Sequence, residues 1–249
     1  MTLSPSADQF YLTGTFNYRD LGGLRTIDGA RIRPGVLLRS AQLSGLDLPG
    51  HTILRELGVT DVYDLRGLRE IEHIGHDNLP DGVRLNVTPF DSRMAEAPPH
   101  DAQTNSALAH MLEVYRHFPT LPEANTAIIA IAETIASGDD GAVLVHCAAG
   151  KDRTGWAIAT LLRAVAVSEA DVLADFLASN DAVPALRAMM APKLTAGVEL
   201  SIDILGVRED YLRVATDSVR AQHGDVESYL AAIGFTTQLR ERLRERLLE

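Results

Sequence analysis

The only cysteine of the chain lies in a segment whose residue types match phosphate chemistry. The segment reads HCAAGKDRTG over residues 146–155, between two apolar runs. A loop that leads from a strand into a helix N-terminus presents backbone N–H groups to an anion and stabilises a thiolate. Arg153 follows Cys147 after five residues and can hold two phosphate oxygens with its planar guanidinium. The spacing predicts a nucleophile inside a phosphate-binding loop, as transfer through a phosphocysteine requires.

Two further residues of the segment fit this interpretation. Gly150 allows the loop to curl through backbone angles that other residues resist. Thr154 can place a hydroxyl near the thiolate or the leaving sulfur. A lone cysteine is more often a small buried apolar residue, but His146, Gly150 and Thr154 at these positions favour the catalytic interpretation of Cys147.

The apolar runs on either side predict the elements that hold the loop. Residues 141–146 predict a central strand and residues 154–165 an apolar helix. Turn residues and periodicity elsewhere predict a loose tail at 1–9, a hairpin at Asp28-Gly29, strands at 59–65 and 83–87, a loop at 91–103, helices at 106–118 and 122–136, and helices throughout from Ser168. Strands mixed with helices, followed by a helical second half, indicate an α/β fold.

Length and composition narrow the class of protein. The 249 residues are 46% hydrophobic and 23% charged, which excludes a disordered chain. We expect one domain, with the tail at 1–9, an α/β core at 10–167 and a helical region at 168–249. The formal net charge of −11 argues against a nucleic-acid partner. One cysteine permits neither an intrachain disulfide nor a cysteine-rich zinc site.

Nothing in the sequence predicts a membrane anchor. Residues 1–15 contain no Lys or Arg and no long apolar run, so no secretory signal peptide is expected. No apolar stretch approaches the ~20 residues that cross a bilayer. We therefore expect a cytoplasmic protein without integral membrane association, and leave unconventional export and the oligomeric state open.

The segment resembles the signature of protein tyrosine phosphatases, which is His-Cys, five residues, Arg, then Ser or Thr. Its Gly-Lys-Asp-Arg-Thr-Gly version is similar to the atypical bacterial, PtpB-like family, whose members are similar to phosphoinositide phosphatases. The stretch FNYRDLGG at 16–23 and Asp64-Leu65-Arg66 with Glu70 match two further blocks of that family. The resemblance implies a central, mainly parallel sheet flanked by helices, and the region after Ser168 resembles the place where relatives carry a helical lid.

The same resemblance assigns catalytic roles. Cys147 attacks the phosphorus, Arg153 binds the phosphoryl oxygens and the amides of 148–153 complete the cradle. A leaving oxygen needs a proton, and the single Trp156 follows the loop, so the usual Trp-Pro-Asp source is absent. The resemblance implies Asp152 as the general acid, with Asp64 and Asp91 as alternatives. The predicted phosphate-binding residues are Ala148, Ala149, Gly150, Lys151, Arg153 and Thr154.

Supporting roles are predicted for four other residues. We expect Arg19 and Asp20 to brace the loop from outside and His146 to order it through a hydrogen bond. Asp64 forms either a buried pair with Arg66 or part of the catalytic machinery.

Lys151 has two interpretations. It contacts a second phosphate or an acidic group of the substrate, or it lies in solvent. The first of these favours a substrate that carries more than one phosphate.

The leading hypothesis is a cysteine-dependent phosphatase that hydrolyses phosphotyrosine in proteins. The alternative keeps the chemistry and changes the substrate to a phosphoinositide or a phosphoserine. A phosphate-binding module without turnover and a sulfur transferase are the other hypotheses, and Asp152 and Arg153 argue against both. No metal or cofactor is implied.

Overall fold

A computed structural model describes residues 12–90, 104–137, 141–193 and 200–249. Within these residues, five strands form one sheet in the order β1-β2-β5-β3-β4. β1 pairs with β2 antiparallel, and every other neighbouring pair is parallel. The strands are β1 (Arg19–Asp20), β2 (Leu37–Ser40), β3 (Val59–Asp64), β4 (Arg84–Val87) and β5 (Ala142–His146). The expectation of a mainly parallel central sheet is confirmed.

Helices lie between the strands of this sheet and after them in the chain. They are α1 (Leu48–Glu56), α2 (Leu68–Ile74), α3 (Thr104–His117), α4 (Pro122–Ala136), α5 (Asp152–Ala164), α6 (Glu169–Ala178), α7 (Val183–Met190), α8 (Ile202–Leu205), α9 (Glu209–His223), α10 (Val226–Ile233) and α11 (Thr237–Leu247). The prediction that the chain is helical after Ser168 is confirmed. Among the described residues, no helix is long and apolar enough to cross a membrane.

The central strand β5 directs the following loop to one edge of the sheet. All five of its residues are buried, as expected for a parallel strand covered on both faces. His146 lies level with Ser40 at the end of β2 and with Asp64 at the end of β3. Because ligands of open α/β sheets bind at the carboxyl ends of the strands, these three strand ends mark the expected site.

Helix α5 starts directly after the loop and is buried along its whole length. Apolar residues from Trp156 to Leu162 cover most sides of the helix, and its polar residues Asp152, Arg153, Thr160 and Arg163 are buried as well. No side chain caps its N-terminus. The first-turn N–H groups are therefore not taken up by a capping side chain and remain available to an anion.

The sequence analysis did not predict β1, β2, α1 and α2, and the elements that it did predict differ from the structure mainly at their ends. α3 ends at His117, before a short 3₁₀ turn, and the fourth strand starts at Arg84. The predicted hairpin is a turn closed by the antiparallel bridge between Arg25 and Arg31, with Gly29 at a φ of +92°. The predicted tail at 1–9 and loop at 91–103 lie outside the described residues.

Candidate active site

Three successive carbonyls of the loop are bonded on its outer side. Ala148 O accepts from Gln42 N at 3.2 Å, Ala149 O from Asn17 Nδ2 at 2.9 Å, and Gly150 O from Arg39 Nη2 at 2.7 Å. In a trans peptide the N–H points opposite to the C=O, so these bonds turn the N–H groups of residues 149–151 towards the inside of the loop. The result is a concave row of donors that begins at Cys147, which is buried.

Gly150 is required where the loop crosses the end of β2. Its φ is +66°, and a Cβ there would lie 2.1 Å from the carbonyl oxygen of Ser40. Both the left-handed backbone and the close approach exclude a larger residue. The predicted curling role of Gly150 therefore has a specific steric cause.

Arg153 is fixed by a carboxylate from α2. Its Nη1 and Nη2 lie 2.5 and 2.7 Å from the two oxygens of Glu70, and Nη1 also donates to Leu65 O at 3.3 Å. Glu70 in turn accepts from Gly67 N at 2.8 Å, which satisfies the backbone N–H of the N-cap residue of α2. Burial opposes ionisation of both partners, but their mutual bonds outweigh it: the pKa of Glu70 is lowered and that of Arg153 is raised.

Two donors at the end of the signature segment have no protein partner in the described parts of the chain. They are Arg153 Nε and Thr154 Oγ1, and both atoms are buried. Because buried donors are normally satisfied, an oxyanion is the chemical group that these two atoms and the loop amides would accept together.

His146 belongs to a buried network of ionisable side chains beneath the loop. Its Nε2 lies 2.8 Å from Asp77 Oδ2, and its Nδ1 lies 3.2 Å from Cys147 O. Arg66 Nη2 lies 2.9 Å from Asp77 and 2.7 Å from Asp64, which also accepts from Arg66 Nε. Burial would raise the pKa of Asp77, but His146 and Arg66 lower it. Asp64 is therefore the buried partner of Arg66.

The same side-chain network contains the potential metal ligands of the site. One ligand atom each from Asp64, Asp77 and His146 lies within 4.8 Å of the others. The guanidinium of Arg66 contacts both carboxylates. The positive charge that a metal ion would supply is already present, so this cluster is a salt-bridge network rather than a metal centre.

Asp152 and Lys151 are buried and bond to each other. Lys151 Nζ lies 2.7 Å from Asp152 Oδ2 and 3.0 Å from Oδ1, and it donates to Gly206 O at 3.3 Å. Tyr115 donates its hydroxyl to Asp152 Oδ1 at 2.8 Å. Lys151 and Asp152 are 5% and 3% exposed. Of the two interpretations of Lys151, the one that places it in solvent is therefore wrong, because Gly206 at the end of α8 accepts from the ammonium group.

Comparison with known proteins matches nearly the whole chain to phosphatases. A sequence model described as the tyrosine phosphatase family matches residues 10–249. The chain belongs to the tyrosine phosphatase family. This family membership agrees with the signature at 146–155 and with the loop geometry described above.

Three individual proteins show how far the likeness extends. Over 276 residues, the chain is 34% identical to the triple specificity protein phosphatase PtpB of Mycobacterium tuberculosis, covering 95% of this chain and 98% of PtpB. It is also 34% identical over 224 residues to a Cupriavidus necator protein named "Putative tyrosine-protein phosphatase", covering 86% and 80%. The solved structure of P. aeruginosa TpbA is 18% identical, with a TM-score of 0.39 over 82% of this chain and 89% of TpbA.

In this tyrosine phosphatase family member, a buried aspartate from the helical half holds two arginines beside the loop. Asp175 on α6 lies 2.6 Å from Arg19 Nε and 2.5 Å from Arg39 Nη1. Burial and the charge of Arg19 lower the pKa of Arg39 to about 10, so it stays charged at neutral pH. Burial opposes the charge of Asp175, but the two arginines keep its pKa low. Arg39 and Asp175 were not singled out by the sequence reasoning.

The two residues predicted to brace the loop have different positions. Arg19 Nη1 donates to Asn17 Oδ1 at 2.6 Å, and Asn17 holds the carbonyl of Ala149. Asp20 accepts from Gly22 N and Gly35 N at 2.8 and 2.7 Å. The expectation for Asp20 is therefore wrong, because this carboxylate stabilises the turns at Gly22 and Gly35, which lie between β1 and β2, and not the loop.

The paired carboxylates make folding stability depend on acid. Asp175, Asp77 and Glu70 each have a lower pKa in the folded chain than the unfolded values of about 3.9 for Asp and about 4.3 for Glu. Their contribution is complete above about pH 5 and is lost as the pH falls through those values towards the lower folded ones. We expect the free energy of unfolding of the Asp77→Asn variant to fall less between about pH 5 and 3 than that of the unmodified chain. Urea titrations at several pH values measure this difference.

An exposed aspartate provides the control for this pH dependence. Asp210 forms an exposed ion pair with Arg213, so Asp210→Asn should leave the acid dependence unchanged. An Asp77→Asn curve that runs parallel to that of the unmodified chain over the same range would contradict the prediction.

Proposed function

We propose that this chain hydrolyses phosphotyrosine in proteins through a phosphocysteine intermediate. The observation that carries the proposal is the loop, which places Cys147 and Arg153 beside inward-facing amide groups. The carbonyls of residues 148–150 accept hydrogen bonds from Gln42, Asn17 and Arg39 on the outer side of the loop. Membership of the tyrosine phosphatase family supports the same chemistry. We place the enzyme in the cytoplasm, where reducing conditions keep a single catalytic thiol available.

In the first step the Cys147 thiolate attacks phosphorus, the S–P bond forms and the bond to the leaving oxygen breaks. The N–H groups of residues 149–151 and Arg153 Nε face the equatorial oxygens, on which charge develops in the transition state. Glu70 holds the guanidinium plane in place for this contact. In the second step water attacks phosphorus, the S–P bond breaks and phosphate leaves.

Asp152 is the general acid in this proposal. It protonates the leaving oxygen in the first step and accepts a proton from the attacking water in the second. Its position in the first turn of α5, one residue before Arg153, supports this role. Both oxygens of Asp64 are engaged by Arg66, which argues against that alternative, and Asp91 lies outside the described residues.

The alternative substrate is a phosphoinositide or a phosphoserine. It is supported by PtpB, a relative over nearly its whole length that is named a triple specificity protein phosphatase. Lys151 was the residue that favoured a substrate with a second phosphate. Because Lys151 bonds to Asp152 and Gly206, this argument for such a substrate is weaker. We therefore retain the same chemistry on other phosphoesters as the second candidate.

The deciding experiment compares phosphate release from three substrates, with the Cys147→Ser variant as the blank. The substrates are a phosphotyrosine peptide, a phosphoserine peptide and vesicles with phosphatidylinositol phosphate. We expect kcat/KM to be at least about tenfold higher on the phosphotyrosine peptide. Comparable turnover of the lipid would move the assignment to the alternative, and no Cys147-dependent release would contradict both.

A further inference from the structure

The two carboxylate oxygens of Asp152 have different surroundings. Oδ1 accepts the hydroxyl of Tyr115 at 2.8 Å, a bond between the middle of the chain and the start of α5. Oδ2 has Lys151 Nζ at 2.7 Å as its partner, and the same ammonium lies 3.0 Å from Oδ1. Lys151 also has a second acceptor in Gly206 O, so it can leave Oδ2 and remain hydrogen-bonded.

Tyr115 is held rigidly where it meets Asp152. It is fully buried, and its ring packs against Phe118, Phe176 and Tyr211 with centroid distances of 4.9, 5.9 and 5.0 Å. Burial and the charge of Asp152 raise the pKa of Tyr115 well above its usual value. The hydroxyl therefore stays protonated at neutral pH and acts as a donor.

A carboxylic acid carries its proton on one oxygen only, and an oxygen that already accepts a strong hydrogen bond keeps the role of acceptor. With Tyr115 bonded to Oδ1, the proton of a neutral Asp152 sits on Oδ2. This arrangement requires only that Lys151 turn to Gly206 O. Tyr115 can donate to Oδ1 whether Asp152 is charged or neutral, so the bond persists through both steps of the reaction.

We propose that Tyr115 is a positioning residue for proton transfer, which assigns the transferred proton to Asp152 Oδ2 and aims that oxygen at the leaving group. The inference rests on the proposed function, with Asp152 as the general acid. In the first step the proton passes from Oδ2 to the leaving oxygen as the P–O bond breaks. In the second step Oδ2 takes a proton from the water that attacks the phosphocysteine.

The test uses the acidity of the leaving group. A p-nitrophenolate leaves without a proton, whereas a simple phenolate needs one. The readout is kcat/KM, which reports the step that releases the leaving group and not the later hydrolysis of the phosphocysteine. We expect Tyr115→Phe to lower kcat/KM on phenyl phosphate and a phosphotyrosine peptide about tenfold, the effect of one lost hydrogen bond to a charged group. On p-nitrophenyl phosphate the change in kcat/KM should stay within about twofold. An equal fall of kcat/KM on all three substrates would show a merely structural role and overturn the inference.

Two matched variants make the outcome specific. Tyr211 lies in the same aromatic cluster and donates its hydroxyl to Asp203 O at 2.9 Å, so Tyr211→Phe should change no leaving-group dependence. Asp152→Asn should show a larger dependence than Tyr115→Phe. If Asp152→Asn lowers kcat/KM equally on all three substrates, Asp152 is not the acid and the proposed mechanism fails. If Asp152→Asn shows the leaving-group dependence and Tyr115→Phe does not, the mechanism stands and the inference about Tyr115 is wrong.

Discussion

Replacing Cys147 with serine is expected to abolish turnover and leave oxyanion binding largely intact. A serine hydroxyl in this position remains protonated and is a poor nucleophile, so kcat should fall by roughly 10⁴- to 10⁶-fold. The oxyanion is bound by other groups, namely the amides of residues 149–151 and Arg153. Their positions depend on bonds to Asn17, Arg39 and Glu70, none of which the substitution touches.

The measurement combines single-turnover kinetics with calorimetric binding of phosphate or vanadate. The substitution replaces one sulfur with oxygen at a buried position, so thermal unfolding of the variant shows whether it is folded. A folded Cys147→Ser protein that no longer binds either oxyanion would show that the thiolate, and not the cradle, provides the binding energy.

The loop could be predicted from sequence because its parts are contiguous. Cys147, Gly150 and Arg153 lie within seven positions, and the apolar runs on both sides specify the strand and the helix. Glu70 matches a block of the family, but nothing in the sequence identifies it as the partner of Arg153, which follows 83 positions later. Spacing along the chain therefore predicts the nucleophile and the phosphate ligand, but not the group that orients the ligand.

The external bonds of the loop depend on contacts that no local pattern contains. Arg39 is 111 positions from Gly150, and 136 from Asp175. Each left a weak signal in the sequence. Arg39 is a charge inside an apolar strand, and Asp175 shares the buried face of α6 with Val172 and Phe176. An ionic side chain in an apolar pattern predicts a buried partner, but only the tertiary fold identifies that partner.

The error about Asp20 has a simple geometric cause. Successive residues of a strand point to opposite faces of the sheet. Arg19 and Asp20 are the two residues of β1, so both could not face the loop. Arg19 points towards α6, whereas the Asp20 carboxylate accepts hydrogen bonds from the backbone N–H groups of Gly22 and Gly35. Applying strand alternation to the pair would have separated their roles.

The position of Lys151 shows that the helical half takes part in the site. Gly206, at the end of α8, supplies the carbonyl that holds the ammonium group, and α6 supplies Asp175. A single hydrophobic cluster also runs from Leu21 to Leu247 through both halves. The helices after Ser168 therefore contact the phosphate-binding loop directly, which composition and periodicity did not predict.

Arg153→Lys is expected to lower kcat by about 10²- to 10³-fold, although it keeps a positive charge. A lysine has no planar fork, so it cannot bond both oxygens of Glu70 and at the same time present a donor to the phosphoryl group. The charge of Glu70 would then lie beside the substrate with less compensation. We expect most of the loss in kcat and a smaller change in KM, because the contact is strongest when charge develops on the equatorial oxygens.

Glu70→Gln separates the charge of Arg153 from its orientation. The amide keeps the size of the side chain but can accept through one oxygen only, so the guanidinium stays charged and loses its fixed plane. We expect a fall in kcat of about tenfold, intermediate between the unmodified enzyme and Arg153→Lys. Stopped-flow and steady-state kinetics on one phosphotyrosine peptide rank the three proteins. If Arg153→Lys keeps kcat within about threefold, positive charge alone is sufficient, and the pairing with Glu70 has no catalytic consequence.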